Sequence, residues 1–509
     1  MKIRILVFLL TCIFVRISTL PKCFSQTGSE KKYPVRMEWS GEENGSARFW
    51  YAKVIGQNED GIFLLKSNMS LESNEEKQGF RTRKYALAFY SNEMTFKWEK
   101  TISPGVKNSE IEKIVFFNEK VLMIYSVYMK INEAEQIWVQ TMDSHGVNTE
   151  VPHQLFEIPN LKKNSDFSID AVFSSNHSLL GINVKFVKNE TPADTIKGAS
   201  VLASVWDEQF SPLLKKELLL PITDSEFQPD NFFVSNDSLI FYTALSSDKT
   251  QGGFLIYSYD LKSGQTNFSH VDADTKKITE YIFAIDNRNK KLVLSGFYSD
   301  QNTYSAAGTF FTNIHFNGLT AEPMNIHAFD ESFLNNFIGE PKTGDKKELL
   351  NFRINKMVLK NNGGALLLAE SSYLTEYTYY DFFTKTYITR TVYHFDNIMA
   401  LSIAPDGTPE WNKLISKKQE SQEDDGYYSS YFPVVYGDNV YFLYNSFLDK
   451  LTSTHLNSFN GKGEETHYVL TEAPENVAFI PRASRQVDAN ISIVPAFRKN
   501  KFYLIRVTF

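Results

Sequence analysis

The sequence contains few of the residues on which small secreted scaffolds and many enzymes depend. Only two of its 509 residues are cysteines, Cys12 and Cys23, and both lie near the N-terminus. Removal of that segment leaves a chain without cysteine, which excludes a disulfide-stapled scaffold, a thiolate metal site and a thiol nucleophile. Such a chain must be held together by its core, which the remaining residues, about 480, can supply.

Histidines and other catalytic signals are also sparse. No two of the nine histidines lie two, three or four residues apart, so no metal-binding pair shares one face of a strand or helix. No Gly-x-Ser-x-Gly elbow and no Gly-rich phosphate loop occurs. Glu423–Gly426 and Asp272–Asp274 are the nearest calcium candidates, and a solvated acidic loop is the favoured interpretation of both. We therefore expect no metal and no cofactor.

An excess of positive charge is missing as well. The chain has 53 basic and 60 acidic side chains, a formal charge of −7, which argues against a nucleic-acid-binding surface. Charged residues make up 22% and aromatic residues 14% of the sequence. This composition excludes a disordered chain, because it allows a large core to be buried.

The first 25 residues are predicted to be a secretory signal peptide. Lys2 and Arg4 precede the apolar run Ile5–Val15, which is too short to span a bilayer, since a helix needs about 20 residues to do so. Cys23 and Ser25 are small residues at the third and first positions before the bond after Ser25, so cleavage is predicted there. A secreted, periplasmic or cell-surface protein is therefore expected. A membrane anchor and a lipid-anchored Cys23 are the alternatives.

Cleavage at that point has two consequences. It removes both cysteines, and it leaves 49 basic and 60 acidic side chains, a formal charge of −11. No second apolar run of about 18 residues follows, so no transmembrane segment is expected in the mature chain.

The rest of the chain consists of short runs rich in Val, Ile, Phe and Tyr, separated by Asn, Asp, Gly and Ser. This pattern is typical of many short β-strands. One strand–turn–strand unit recurs, from Tyr85 to Trp98 and again from Ile398 to Trp411, with the two tryptophans in register. Turns of this kind near positions 92, 144, 208, 262, 317, 406 and 461 are separated by 52, 64, 54, 55, 89 and 55 residues.

A four-stranded antiparallel unit at this spacing is the blade of a β-propeller. We predict an all-β fold in which residues 26–509 form a single β-propeller of eight four-stranded blades, with an insertion in blade 6 around residues 370–394. The ring is predicted to close by pairing Tyr33–Trp39 with the C-terminal strand Lys501–Phe509, which leaves no open edge. A seven-bladed ring is the main alternative, and two β-sandwiches are a further one.

One stretch of the sequence carries a resemblance. It resembles a group of uncharacterised secreted, β-propeller-like proteins of Gram-negative bacteria, and the match is specific over about 50 residues, from 398 to 445. The resemblance implies a secreted, propeller-like protein and brings no catalytic residue. The matching residues are Ile398–Trp411, Leu414–Ile415, Lys417–Gln419, Gly426–Tyr431 and Tyr441–Asn445.

The long connections of the predicted propeller all fall between second and third strands or between blades. These two classes emerge on one face, where a rigid ring can position them for binding. The third-to-fourth-strand turns are short, so one face is elaborated and the other is not. The long connections are Asn68–Arg83, Lys188–Ser200, Ser299–Ala307, Asp330–Leu349, Glu370–His394 and Lys417–Tyr431.

Tyrosine and acidic residues are concentrated in the last two of these connections. Tyrosine provides a large apolar ring with a hydrogen-bonding tip, which suits recognition of a protein or glycan. A long hairpin that packs its tyrosines on a neighbour is the structural alternative. The predicted partner-binding residues are Tyr377, Tyr379, Tyr380, Asp424, Asp425, Tyr427 and Tyr428.

The sequence thus favours a non-catalytic binding or scaffold protein that recognises a protein or glycan at the cell envelope through long loops on one propeller face. An extracellular enzyme acting on glycans, with carboxylates from several blades at the channel mouth, is the alternative. Glycoside hydrolysis requires two carboxyl groups about 5 to 10 Å apart, and sequence spacing does not show this for residues of different blades.

Overall fold

The computed structural model describes residues 34–44, 49–71, 77–78, 81–148, 151–159, 167–186, 199–222, 226–246, 252–274, 276–301, 304–338, 348–448, 451–471, 476–499 and 501–509. The predicted signal peptide, residues 1–25, lies outside the described residues. The described chain is all-β apart from one α-helix and one 3-10 turn.

The first half of the described chain forms four antiparallel sheets, each of which we number in chain order. Two short strands come first, β1 (Arg36–Trp39) and β2 (Glu43–Asn44). Sheet 1 consists of β3 (Tyr51–Gln57), β4 (Gly61–Ser67), β7 (Tyr85–Ser91) and β8 (Phe96–Ile102), with the small hairpin β5 (Lys77–Gln78) and β6 (Arg81–Thr82) between its second and third strands. Sheet 2 consists of β9 (Ser109–Phe117), β10 (Lys120–Met129), β11 (Ala134–Met142) and β12 (His153–Ile158).

Sheets 3 and 4 repeat the same order of strands. Sheet 3 consists of β13 (Phe167–Phe173), β14 (Leu180–Phe186), β15 (Ala199–Trp206) and β16 (Pro212–Leu220). Sheet 4 consists of β17 (Phe227–Val234), β18 (Leu239–Leu245), β19 (Gly253–Asp260) and β20 (Thr266–Asp272).

Sheets 5 and 6 contain the additions to this pattern. Sheet 5 consists of β21 (Lys277–Asp286), β22 (Lys291–Ser299), β24 (Gly308–His315) and β25 (Asn325–Ala328), with β23 (Ser305–Ala306) pairing outside it with β26 (Leu349–Leu350). Helix α1 (Glu331–Ile338) follows β25. Sheet 6 consists of β27 (Phe352–Leu359), β28 (Ala365–Asp381), β29 (Thr386–Ile403) and β30 (Pro409–Ile415), and β31 (Gln419–Gln422) pairs with β29.

The last two sheets bring the chain back to its beginning. Sheet 7 consists of β32 (Tyr431–Tyr436), β33 (Asn439–Leu448), β34 (Leu451–Asn460) and β35 (Glu465–Thr471). Sheet 8 consists of β36 (Val477–Phe479), the 3-10 turn Pro481–Ala483, β37 (Arg485–Asp488), β38 (Ile491–Arg498) and β39 (Lys501–Thr508), and its outer strand is β1 from the N-terminus.

The middle strands of each sheet are apolar because both of their faces are covered. In β4 every residue from Gly61 to Ser67 is buried, whereas in the outer strand β20 exposed residues alternate with half-buried or buried ones. Continuous apolar runs and alternating runs therefore mark different positions in the same sheet. Repetition of such up-and-down sheets is the β-propeller architecture.

The turns between third and fourth strands lie where the sequence predicts them. In the turn Ala404–Thr408, the amide of Ala404 donates to the Thr408 carbonyl and the amide of Gly407 donates to the Ala404 carbonyl. The turns that begin at Ser91, Asp143, Asp207 and Asn460 have the same two bonds. In each of the five, the fourth residue has a positive φ, and it is Gly in three of them. This is the three-residue hairpin turn that ends in a left-handed residue.

The two aligned tryptophans pack between sheets. Trp98 on β8 donates a 3.1 Å hydrogen bond to the carbonyl of Ser144 in the turn of sheet 2. Trp411 on β30 makes the equivalent 3.1 Å bond to the carbonyl of Gly461 in the turn of sheet 7. Both rings lie against the left-handed glycine of the turn that they contact. The two tryptophans therefore connect neighbouring repeats through the same turn position.

The core is divided into apolar clusters that lie between adjacent sheets. One cluster, for example, joins Leu122 and Ile124 of sheet 2 to Ile182 of sheet 3. Similar clusters join each sheet to the next along the described chain. A further cluster joins Ile493 and Leu504 of sheet 8 to sheet 1. The aromatic content of the chain is therefore used mainly at the sheet interfaces.

The chain termini meet in sheet 8. Strand β1 pairs antiparallel with β39, from Arg36 opposite Thr508 to Trp39 opposite Ile505. The amide of Ser40 continues this pairing by donating to the carbonyl of Leu504 at 2.8 Å. The predicted pairing of the N-terminal segment with the C-terminal strand is present over residues 36–39.

Candidate functional site

The predicted insertion around residues 370–394 is an extension of two strands. Strands β28 and β29 pair within sheet 6 and then continue beyond it, from Ser372 opposite Phe395 to Asp381 opposite Thr386. We call residues 372–395 the arm. The sequence predicts a long connection here, with a long hairpin as the structural alternative, and the hairpin is what forms, because Thr, Tyr and Ile residues favour paired strands. It joins second and third strands, so it leaves the sheet at its expected end.

A tight turn closes the arm. The Asp381 carboxylate accepts a 2.8 Å hydrogen bond from the amide of Phe383, and Lys385 takes a positive φ. The bond from the Phe383 amide lowers the pKa of the Asp381 carboxyl below its ordinary value. Phe382 and Phe383 at the tip are 82% and 99% exposed, so no part of the described chain covers them.

The three arm tyrosines in the predicted site are exposed. Tyr377, Tyr379 and Tyr380 are 45%, 40% and 40% exposed. Tyr377 and Tyr379 stack on one face of the arm with ring centroids 6.0 Å apart. On the opposite face, Tyr380 contacts Tyr387 with ring centroids 5.2 Å apart. These tyrosines therefore pack on one another within the arm and not on a neighbouring sheet.

The connection from sheet 6 to sheet 7 supports the arm from one side. We call residues 416–430 the bracing loop. Its strand β31 pairs with β29, from Gln419 opposite Phe395 to Gln422 opposite Val392. The Thr391 amide donates a 2.6 Å hydrogen bond to the Glu423 carboxylate.

Asp425 of the bracing loop is also bonded to the arm. The hydroxyl of Tyr393 donates a 2.7 Å hydrogen bond to the Asp425 carboxylate. Burial, together with this carboxylate, raises the pKa of Tyr393 well above its ordinary value, so the phenol stays protonated. The phenol is therefore available as the donor of this bond.

The far end of the bracing loop reaches sheets 1 and 8. The Tyr427 hydroxyl accepts a 2.7 Å hydrogen bond from the amide of Ala52, which lies 375 residues away in the chain. Its ring packs edge-on against Tyr51 with centroids 4.9 Å apart. Arg482 of sheet 8 donates a 2.7 Å bond to the carbonyl of Asp425. The bracing loop therefore contacts the arm, sheet 1 and sheet 8.

The remaining predicted residues of the bracing loop also have partners within the chain. The Asp424 carboxylate accepts a 2.9 Å hydrogen bond from the amide of Gly426, which is within its own turn. The ring of Tyr428 contacts those of Tyr427 and Phe497. Burial raises the pKa of Tyr428 to about 12. The seven predicted residues therefore form two groups, an exposed group on the arm and a packed group in the loop.

A buried ion pair, which the sequence analysis did not predict, anchors the arm and the bracing loop at their root. The Lys417 ammonium lies 2.7 Å from the Glu370 carboxylate, and the two side chains are 2% and 0% exposed. Lys417 also donates 2.8 Å bonds to the carbonyl of Phe395 and to the side-chain oxygen of Gln419. Ser430 donates a 2.6 Å bond to the other oxygen of Glu370.

The electrostatics of this pair follow from its burial. Burial lowers the pKa of the Lys417 ammonium, and the charge of Glu370 opposes that shift. With three acceptors around one ammonium, the arrangement is that of a satisfied structural ion and not of a nucleophile. No local sequence pattern predicts this ion pair, because Glu370 and Lys417 lie 47 positions apart.

Three buried carboxylates of the described chain, those of Glu348, Asp286 and Glu370, have partners within the fold. The Glu348 carboxylate accepts a 2.6 Å bond from Ser299, and Asp286 accepts a 2.9 Å bond from the amide of Asn289 within its turn. Glu370 is paired as described above. Among the described residues, no group of three or more His, Cys, Asp or Glu side chains could hold a metal ion. In the calcium candidate Asp272–Asp274, the first carboxylate accepts a bond from the amide of Asp274.

Polar side chains link the first strands of neighbouring sheets. Lys113 of sheet 2 lies 2.6 Å from Asp170 of sheet 3. Tyr431 of sheet 7 donates a 3.1 Å bond to the side chain of Asn355 in sheet 6. Most side chains of these strands are half-buried, as in β13, where every residue from Phe167 to Phe173 is. These two contacts join neighbouring sheets through their first strands.

No helix in the described part of the chain has the length and apolar character needed to cross a membrane.

The comparisons with known proteins concern the fold. No protein-family model and no curated protein matches the sequence. Among solved structures, the chain is similar to the WD40 domain of SCAP from fission yeast, with 9% identity, 93% of this chain and 98% of that chain covered, and a TM-score of 0.40. It is similar to the polysaccharide lyase Uly1, with 12% identity, coverage of 91% and 99%, and a TM-score of 0.35. It is also similar to the β-propeller domain of the Trilobed protease from Pyrococcus furiosus, with 9% identity, coverage of 85% and 98%, and a TM-score of 0.35.

Proposed function

We propose that this chain is an exported, non-catalytic binding protein that recognises a protein partner at the cell envelope through the arm. A closed, eight-bladed β-propeller is the proposed scaffold. Eight sheets with four or more strands support it, together with the pairing of β1 with β39. The apolar cluster that joins sheet 8 to sheet 1 supports closure of the proposed ring.

The observation that carries the binding proposal is the concentration of exposed apolar side chains on the arm. Twenty large apolar side chains are exposed in the described chain, and seven of them lie between Leu374 and Tyr387. Isolated exposed apolar residues are ordinary, but a contiguous group on a projecting element marks an interaction surface. The bracing loop and the Glu370–Lys417 pair hold this surface in place, which reduces the entropy lost on binding.

The composition of the arm favours a protein over a glycan. Phe382 and Phe383 at the tip have no hydrogen-bonding group, and such side chains suit an apolar pocket of a protein partner. The rings of Tyr377 and Tyr379 are inclined by 28° and stack on each other, so these ring faces are already partly covered. Binding to a glycan remains the other outcome of the experiment below.

Affinity capture tests the proposal. The purified chain and a variant with Tyr377→Ser, Tyr379→Ser and Tyr380→Ser are each used to capture proteins from the envelope fraction and to probe a glycan array. We expect the wild-type chain to retain one specific protein with a Kd in the micromolar range or below. We expect the triple variant to lose it by at least about tenfold in Kd.

A second triple variant provides the matched control. Tyr304, Phe268 and Tyr436 are also exposed, and they lie outside the arm. Their replacement by serine should leave capture unchanged. Equal loss in both variants, capture by the arm variant at the wild-type level, or binding to a glycan without a protein would each contradict the proposal. Because the arm tyrosines pack mainly on one another, and Tyr377 adds only a 3.3 Å hydrogen bond to Gln422 of the bracing loop, the melting temperature should fall by no more than a few degrees.

Export is proposed from the N-terminal sequence alone. Cleavage after Ser25 would make Gln26 the first residue of the mature protein. Mass spectrometry of the N-terminal peptide, isolated from the native organism's envelope or medium, should identify Gln26 as that residue. An intact Met1 or a lipid on Cys23 would overturn this part of the proposal.

A further inference from the structure

The arm has an edge to which no described strand is hydrogen-bonded. Strand β27 pairs with β28 only as far as Phe352 opposite Ser371. Beyond that point β28 pairs on one side only, with β29. The edge of β28 from Leu374 to Tyr380 therefore presents its outward backbone groups to solvent in the described chain, which is the arrangement that favours addition of another strand.

Two hydrogen bonds show which residues point their backbone groups outward. The amide of Ser372 donates a 2.9 Å bond to the carbonyl of Asn351 on the outer side of β28. On the outer side of β29, the Thr391 amide donates to Glu423. Thr391 lies opposite Glu376, and the outward direction alternates along each strand. Both bonds therefore give the same result. The N–H and C=O groups that point outward are those of Leu374, Glu376, Thr378 and Tyr380.

This edge lacks the features that protect other edges of the protein. The outer strands β8 and β16 each carry two lysines, and β30 begins with Pro409 and contains Lys413. Lysine and proline on an edge oppose the addition of another strand. Residues 372–381 contain no lysine, arginine or proline, and their pairing with β29 has no register shift.

The edge is also complementary to itself. In an antiparallel pairing of two copies centred on Thr378, Glu376 of one copy lies opposite Tyr380 of the other, and Tyr377 lies opposite Tyr379. No two carboxylates are opposed, Leu374 meets Phe382, and an aromatic pair occupies the positions where side chains approach most closely. The three pairs of outward residues provide about six hydrogen bonds.

The distribution of charge also favours the arm as the contact between two copies. The whole chain has a formal charge of −7, whereas residues 372–391 contain two acidic and two basic side chains. Two copies of an acidic protein repel each other least where the surface is neutral. The arm is such a surface, and it projects beyond its sheet.

We propose that the chain forms a two-fold symmetric dimer in which the β28 edges of two arms pair antiparallel about Thr378. The inference rests on the proposed function, since it takes the arm as the interaction surface and names a second copy of this chain as its partner. The joined arms form one four-stranded sheet. Both faces of that sheet, including the stacked Tyr377 and Tyr379, stay available to a further protein partner.

The test measures the mass of the full chain in solution and uses two variants of one residue. Thr378→Pro removes an outward N–H that the arm itself does not use, and proline is tolerated at such an edge position. Thr378→Val removes the hydroxyl bond to Thr389 but keeps that N–H. In sedimentation equilibrium we expect a dimer for the wild type and for Thr378→Val, and a dissociation constant raised at least about tenfold for Thr378→Pro.

Hydrogen exchange provides a measurement that does not depend on the proline variant. The amides of Leu374, Glu376, Thr378 and Tyr380 should exchange more slowly at high wild-type concentration than at low concentration, while exposed amides elsewhere should not change. A monomer at all concentrations, or a dimer that is equally stable in both Thr378 variants with no protection of these amides, would overturn the inference. If the chain is monomeric but the serine variant of the arm loses its captured partner, only the dimer fails. If the chain is dimeric but the serine variant of the arm captures the same protein as the wild type, the proposed recognition of another protein through the arm fails.

Discussion

At the scale of single residues, Lys417 and Glu370 matter most for the arm, although the sequence did not predict a role for either. Lys417 and Glu370 are almost completely buried and paired, and each is held by further bonds. A buried pair of this kind contributes little relative to an apolar pair, but the loss of one partner leaves an uncompensated charge. We therefore expect the root of the arm to depend on both residues of this pair.

Replacement of one member of this pair should be costly. For Lys417→Met we expect the free energy of unfolding in urea to fall by about 3 to 5 kcal/mol, because Glu370 is left charged in an apolar site. The double variant with Glu370→Met should recover a large part of that loss, since it removes both charges. A fall below about 1 kcal/mol in the single variant would show that water reaches Glu370.

His455 predicts a dependence of stability on pH. Burial, and then the neighbouring His467, lowers the pKa of His455 to about 4, from an ordinary value of 6.5. The unfolded chain thus binds a proton more readily than the folded chain does. The stabilising contribution of neutral His455 is complete above pH 6.5 and is lost as the pH falls from 6.5 toward 4.

The measurement compares melting temperatures at pH 7 and pH 5. His455 lies 2.9 Å from His467, nitrogen to nitrogen, and its ring stacks on Tyr444. In His455→Gln we expect a smaller decrease in melting temperature between the two pH values than in the wild type. An equal decrease would assign the acid sensitivity to groups other than His455.

At the scale of elements, the recurring turn and its tryptophan were predictable. The alternation of apolar residues up to an Asn, Asp or Gly turn is a local signal, and so is the tryptophan that follows it. Local signals are reliable here because a left-handed turn residue and a strand period are properties of a few adjacent residues. The extension of β28 and β29 into an arm is the long hairpin that the sequence offered as the structural alternative, but its tyrosines contact one another and do not pack on a neighbouring sheet.

Two glycines in the turn of sheet 7 give a matched test of the turn. Gly463 has a φ of +75°, and a Cβ there would lie 2.8 Å from the Trp411 ring, whereas a Cβ on Gly461 would have nothing within 4 Å. We expect Gly463→Ala to lower the free energy of unfolding by about 1 to 3 kcal/mol. Gly461→Ala should change it by less than about 0.5 kcal/mol. Equal effects in calorimetry would contradict this account of the turn.

At the scale of the whole molecule, the arrangement of sheets depends on contacts between distant residues. The Tyr427 hydroxyl meets the Ala52 amide across 375 positions of the chain, and β1 pairs with the final strand. The proposed ring therefore depends on its N-terminal strand, which covers the outer edge of β39. Without that strand, the edge would be open to pairing with other chains.

Truncation tests this dependence. A chain that begins at residue 34 keeps β1, whereas a chain that begins at residue 45 lacks β1 and β2. We expect the first to unfold in one cooperative transition, and the second to melt at least about 10 °C lower or to aggregate. Equal melting temperatures in differential scanning calorimetry would show that closure through β1 is not needed.

The sequence alone determined the strand content, the recurring turns and the pairing of the two ends, because these follow from periodicity, turn chemistry and the count of units. It also located the tyrosine-rich segments between the second and third strands of sheet 6 and in the connection that follows that sheet. It did not separate Tyr377 from Tyr427, since both are tyrosines in long polar connections. Only the tertiary structure decided that one is exposed on the arm and the other is packed against Tyr51. The physical reason is that exposure depends on what approaches from other parts of the chain, and no local pattern encodes that approach.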